Sequence, residues 1–190
     1  MAKENKSKYA LLGILSMCPG SGYDIKKFME QSTSNFWSES YGQIYPILKQ
    51  LVEEGLATSH TEKQEGRPER YVYTLTDKGL EELRSWLTEP IEHTVERNEL
   101  LLKLLFGRQN SITANIEHVR QFRTLQEQLL QKYWGIEAYL KANCDDDADE
   151  CYSLITLRYG ILRTQALLAW SEETIDKLRL FAEKNETVQQ

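Results

Sequence analysis

A chain of 190 residues has material for one large domain or two small ones, and its 41% apolar and 27% charged residues are those of a folded, water-soluble protein. No positively charged leader runs into an apolar stretch and no apolar run reaches transmembrane length, so a cytoplasmic protein with no membrane partner is expected. The net charge of -6 counts against a strongly electrostatic nucleic-acid binder, and neither half is basic: residues 1–90 hold 11 Lys+Arg against 13 Asp+Glu, residues 91–190 hold 12 against 16.

The polar, basic segment 3–8 leads into an apolar helix over Tyr9–Leu15, expected to be buried. Cys18-Pro-Gly-Ser21 breaks it, and Ser21 with Asp24 resembles a capping box opening a helix over Gly22–Gln31. Ile25 and Phe28 point that helix inward and leave Lys26 and Lys27 outside. A polar linker, Thr33–Glu39, carries Phe36 and Trp37, expected to pack under the next element. That element is Ser40-Tyr-Gly-Gln-Ile-Tyr-Pro-Ile-Leu-Lys-Gln-Leu-Val-Glu-Glu-Gly-Leu56. Ile44, Ile47, Leu48, Leu51 and Val52 recur at helical spacing and form a buried face, leaving Tyr41, Gln43, Tyr45 and Lys49 for the other. Pro46 would fall beyond the first turn if Ser40 were the cap, so a regular helix starting near Gly42 or Gln43 is preferred.

Two short strands follow, Leu56–Thr61 and the more β-prone Arg70–Leu75, joined as a hairpin whose tip is flanked by Arg67 and Arg70. Such a hairpin must pack on the helices. Thr76 caps a helix to about Leu87, with Leu80, Leu83 and Leu87 on one face, and Pro90 ends it. The charged stretch 91–98 marks a boundary between domains 1–90 and 91–190. Glu99–Phe106 is a leucine-rich helix, apolar nearly all round, and should be covered on more than one side. Ser111 caps a long helix to about Ala142, and a last helix covers about Glu150–Glu183 with a broad apolar side. Long amphipathic helices of this kind suggest packing against an identical set from a second chain. The aspartates Asp145, Asp146 and Asp147 between them lack the alternating ligands and glycine of a calcium loop and read as a solvated turn.

Three helices and a hairpin in this order have the layout of a winged helix-turn-helix DNA reader. The fold expected is mostly α with a small β-hairpin: an N-terminal winged helix-turn-helix and a C-terminal long-helix dimerisation domain. The second helix would cross the DNA backbone, where Lys26 and Lys27 meet phosphates, and the third would enter the major groove. The bland readings are an ordinary core helix and a solvated hairpin with incidental charge. No constellation for enzymatic chemistry is visible. His60, His93 and His118 lie in different elements without ligand spacing, and there is no nucleophile elbow or phosphate-binding glycine loop. No cofactor or metal is expected. Cys18, Cys144 and Cys151 read as reduced thiols.

The third-helix string, preceded by Phe36-Trp37, and the stretch Gly66-Arg-Pro-Glu-Arg-Tyr-Val-Tyr-Thr-Leu-Thr-Asp-Lys-Gly79 resemble the PadR family of transcriptional regulators, together with Leu11-Leu-Gly-Ile-Leu15 and Ser21-Gly-Tyr-Asp24. The second half is similar to the family's longer-tailed branch in size and helical layout. The resemblance implies a homodimer on a pseudo-palindromic double-stranded operator, repressing a nearby operon until a small effector, with an aromatic one a candidate, releases it. It also implies that Tyr41, Gln43, Tyr45 and Lys49 belong to the recognition helix and Arg67 and Arg70 to the wing. Tyr45 is left between packing and DNA contact. An effector pocket between the two halves would draw on Tyr9, Trp37, Trp134, Tyr152, Tyr159 and Trp170, with Arg158 and Arg163 for a carboxylate. The alternative for those residues is a dimer core rimmed by arginines. The alternative for the whole chain is a winged-helix scaffold for protein–protein interaction.

Overall fold

The structure is a computed structural model that describes residues 6–34, 36–62, 70–92, 96–143 and 148–188. It divides into two compact units, Met1–His93 and Thr94–Gln190. The expected positions Arg67, His93, Cys144 and Asp145–Asp147 lie outside the described residues.

The first unit contains α1 (Ser7–Met17), α2 (Gly22–Gln31), α3 (Tyr41–Glu53), β1 (Ala57–Glu62), β2 (Arg70–Leu75) and α4 (Asp77–Leu87). α1 is its central helix: Leu11 and Leu12 are fully buried, and Tyr9, Ile14 and Leu15 nearly so. Ile25 and Met29 of α2, and Ile44, Ile47, Leu48 and Leu51 of α3, close the same core with Leu56, Tyr73 and Leu83. Each buried leucine of this kind stabilises the unit by roughly 2–5 kcal/mol relative to alanine. Leu87, expected on the inner face of α4, is exposed because it lies in the last turn, beyond the core.

Local signals set the ends of these helices. Ser21 and Asp24 form the expected capping box at α2. α3 begins at Tyr41, not later: the N–H and the hydroxyl of Ser40 both donate to Gln43 Oε1, at 2.9 and 2.7 Å. Pro46 therefore sits inside the helix, and the Gly42 carbonyl loses its intrahelical donor. That loss falls on the exposed side, where Gly42 and Pro46 both face solvent, so the cap at Ser40 can set the helix start. α3 ends at Gly55, whose φ of 70° lets Leu56 N–H reach back to the Leu51 carbonyl at 2.8 Å. Leu56 is spent on this closure, so β1 starts one residue later than expected.

β1 and β2 pair antiparallel with Ala57 opposite Leu75 and Glu62 opposite Arg70. An isolated bridge, unforeseen in the sequence, joins Gly20 to Tyr73 through two backbone hydrogen bonds. α4 approaches the hairpin so closely that a Cβ on Gly79 would lie 2.1 Å from the Leu56 carbonyl oxygen.

The second unit contains α5 (Glu99–Leu105), a 3-10 turn, α6 (Ile112–Asn143) and α7 (Ala148–Val188). Ser111 accepts from the Ala114 N–H and caps α6 as expected. α7 runs through Ser171 without restarting, and that serine is fully buried with its hydroxyl donating to the Leu167 carbonyl. Leu130, Tyr133, Leu157 and Ile161 form one buried cluster between the long helices, and Ile116, Val119 and Ile175 form another. α5 departs from expectation: Leu101, Leu102, Leu105 and Phe106 are exposed within the single chain.

Candidate nucleic-acid interface

α3 divides cleanly. Ile44, Ile47, Leu48 and Leu51 are buried, whereas Tyr41, Gln43, Tyr45 and Lys49 all face solvent. Tyr41 and Tyr45 stack at 6.2 Å between centroids. Tyr45 also packs: a Cβ on Gly22 would lie 2.7 Å from its ring, so the first turn of α2 supplies the floor on which the ring rests. Gln43 serves the helix start through its Oε1, which the Ser40 cap already occupies. A bidentate pairing with adenine would need that oxygen's neighbouring amide group and a release of the cap.

The charges are less free than the sequence suggests. Lys26 is largely covered and pairs with Glu30 at 3.4 Å. Lys49 is exposed, with Glu53 3.7 Å away. Arg70 donates from Nε and Nη2 to Glu62 Oε2 at 3.0 and 2.8 Å, and its Nη1 lies 3.5 Å from Asp24. The Glu62 hydrogen bond raises the Arg70 pKa, and Arg70 lowers that of Glu62. Asp24 is also held below the usual carboxylate range, first by hydrogen bonds from the Ser21 side chain and backbone. Arg70 thus braces the hairpin against α2. Lys27 is exposed, and its charge helps to lower the Asp24 pKa.

Behind this face lies a cavity of about 170 Å³, lined by Tyr9, Met29, Phe36, Trp37 and Trp86 with Lys6. Its lining is almost wholly apolar, and the volume is on the scale that holds one benzene ring. Tyr9 and Trp86 stack at 4.6 Å and 5°. Lys6 pairs with Glu92. Trp37 donates from its indole to Glu39 at 3.0 Å, and the Ser7 hydroxyl donates to the same buried carboxylate. Of the expected effector residues, Tyr9 and Trp37 meet here, and all the lining belongs to the first unit. Trp134, Tyr152, Arg158, Tyr159, Arg163 and Trp170 belong to the second. There Trp170 packs edge-on against Phe122, and Arg163 is taken up by Glu96. Phe36 and Trp86 were not anticipated as lining. The legible signals were the Phe36-Trp37 pair in an otherwise polar linker and Trp86 beside the leucine face of α4.

Residues 11–85 match the family described as "Transcriptional regulator PadR-like family", and residues 96–179 match "Virulence activator alpha C-term". A crystal structure of Bacillus subtilis PadR in complex with operator DNA is similar over 92% of this chain and 99% of that one, at 32% identity and a TM-score of 0.76. The chain belongs to the PadR-like family of transcriptional regulators. Its likeness to the negative transcriptional regulator PadR of Bacillus subtilis reaches 45% identity over 101 residues, which span 52% of this chain and 55% of that protein. A structure of Bacillus subtilis PadR with p-coumaric acid is similar over 92% of this chain and 99% of that one, at 29% identity and a TM-score of 0.73. For a PadR-like chain, the solvent-facing row of α3 and the braced hairpin are the two features to explain.

Proposed function

We propose that the chain is a sequence-specific reader of double-stranded DNA that acts in the cytoplasm as a homodimer and represses a nearby operon until a small effector releases it. In this reading residues 1–90 are the winged helix-turn-helix domain, which also holds the effector cavity, and residues 91–190 are the helical dimerisation domain. α3 enters the major groove with Tyr41, Gln43, Tyr45 and Lys49, while Lys26 and Lys27 of α2 and Arg67 and Arg70 of the wing lie along the flanking backbone. Two copies related by a two-fold axis would read a pseudo-palindromic operator. No enzymatic activity and no cofactor enter this account.

The observation that carries the reading is the polar and aromatic outer row of α3, on a helix whose other face is fully buried. The likeness over almost the whole chain to a regulator solved on operator DNA supports it. Dimerisation is supported by α7, where Tyr152, Ile155, Tyr159 and Leu162 are exposed at steps of three and four residues. That spacing makes a continuous apolar stripe suited to another helix. The effector reading rests on the cavity, which suits a small aromatic molecule with an acidic group toward Lys6. The relative solved with p-coumaric acid carries a ligand of that class.

The neutralised positions of Arg70 and Lys26 favour a second reading, a winged-helix scaffold for protein–protein interaction. Fluorescence anisotropy separates the two. The purified protein should bind duplex DNA from its own promoter, lose affinity with salt by about 0.9 log unit per log unit for each phosphate neutralised, and release that DNA on addition of p-coumaric acid. Equal, weak binding to promoter and unrelated DNA would favour the scaffold.

A further inference from the structure

We infer that Tyr23 and Tyr71 belong to the DNA-contacting face and donate their hydroxyls to phosphates, so that an arc of tyrosines runs from α2 across α3 to the wing. The inference rests on the reading of residues 1–90 as a DNA-binding domain.

Four observations carry it. Tyr23 at 59% and Tyr71 at 60% are more exposed than Tyr41 at 43% and Tyr45 at 50%, so each ring stands proud of the surface. Among the described residues none of these four hydroxyls has a hydrogen-bond partner. The Tyr41 and Tyr45 rings stack, and the Tyr45 ring rests against Gly22, the residue before Tyr23. Desolvation, then the nearby Glu30, Tyr23 and Tyr45, raises the Tyr41 pKa; desolvation, then Tyr45 and Tyr71, raises that of Tyr73. Tyr71 and Tyr73 share one face of β2, and the Gly20 bridge ties Tyr73 to the residue before the α2 cap. Finally, two of the cations nearby are occupied, since Lys26 pairs with Glu30 and Arg70 with Glu62 and Asp24.

A phosphate approaching this face therefore meets phenol donors as well as cations. A phenol stays protonated at neutral pH and donates to an anionic oxygen without first having to leave a carboxylate. Neutral donors are a physical route by which a chain of net charge -6 can hold a polyanion. An isolated exposed tyrosine needs no explanation, but four on α2, α3 and β2, two of them stacked, do.

The test uses the full chain and the duplex it enriches from random-sequence DNA. Tyr23→Phe and Tyr71→Phe keep the ring and remove the donor. Each should weaken binding about five- to tenfold, with the circular dichroism melt unchanged. The salt slope should also stay unchanged, because a lost hydroxyl releases no counterion, whereas Lys27→Ala should lower the slope by about one. Wild-type affinity in both phenylalanine variants would overturn the inference while leaving the DNA reading intact. Failure of the wild-type protein to enrich any sequence would overturn both.

Discussion

Arg70 shows how a single residue changes meaning once its neighbours are known. In the sequence it flanks a hairpin tip and reads as a phosphate contact. In the fold its guanidinium is held by Glu62 and reaches toward Asp24, so DNA must compete with two carboxylates for it. Glu62→Gln weakens that hold. The variant should bind operator DNA about threefold more tightly, with a salt slope larger by about 0.9, measurable in one anisotropy titration series. Unchanged affinity would mean that Arg70 braces the hairpin and does not meet DNA. The same contacts set an acid dependence. Asp24 and Glu62 both have pKa values lowered in the folded chain, so the stability they lend is present above the ordinary carboxylate range. It is lost as pH falls through the ordinary carboxylate range and then through their lowered folded values. Asp24→Asn should therefore flatten the decline of the thermal midpoint between about pH 5 and pH 3, followed by circular dichroism.

At the scale of elements, the first unit is built from helix ends that are specified locally and one approach that is not. The capping box at Ser21 and the left-handed Gly55 follow from short-range chemistry and are legible as Ser-Gly-Tyr-Asp and Glu-Glu-Gly-Leu. Gly79 is different. Its sequence context is an ordinary amphipathic helix, yet a methyl group there would collide with the Leu56 carbonyl. Relief requires α4 to move off the hairpin, so Gly79→Ala should destabilise the unit by about 3 kcal/mol. Gly13→Ala, where a Cβ meets nothing within 4 Å, is the matched control and should be tolerated. Chemical denaturation of the two variants checks the contrast. Pro46 had argued for a late start to α3, but the Ser40–Gln43 hydrogen bonds set the start and the proline is accommodated on the solvent side.

At the scale of the molecule, the second unit leaves more apolar surface in one chain than a solitary protein should. Tyr152, Ile155, Tyr159 and Leu162 on α7, with Leu101, Leu102, Leu105 and Phe106 around α5, are exposed. Ile155→Lys with Leu162→Lys places two charges in the α7 stripe while sparing the buried seam of Leu157, Ile161 and Thr164. The pair should yield a folded monomer in sedimentation. Its operator affinity should fall by about 100-fold or more, because a half-site bound alone forfeits the gain from linked binding.

The sequence by itself determined the element order, the split face of α3, the caps at Ser21, Thr76 and Ser111 and the family, because each depends on residues near in the chain or on an unbroken string. It also marked Tyr41, Gln43, Tyr45 and Lys49 as the outer row of α3, since helical periodicity alone assigns faces. Tertiary structure decided which of those groups are free. The Arg70–Asp24 approach spans 46 residues, the Lys8 ammonium is shared by Glu54 and Glu82, and the Gly20–Tyr73 bridge ties a helix break to a strand. No local pattern encodes such pairings, because charge neutralisation and ring adjacency are properties of distance in space. The cavity beneath Trp37 is likewise set by four aromatic rings from three segments of the chain, which only packing brings around one void.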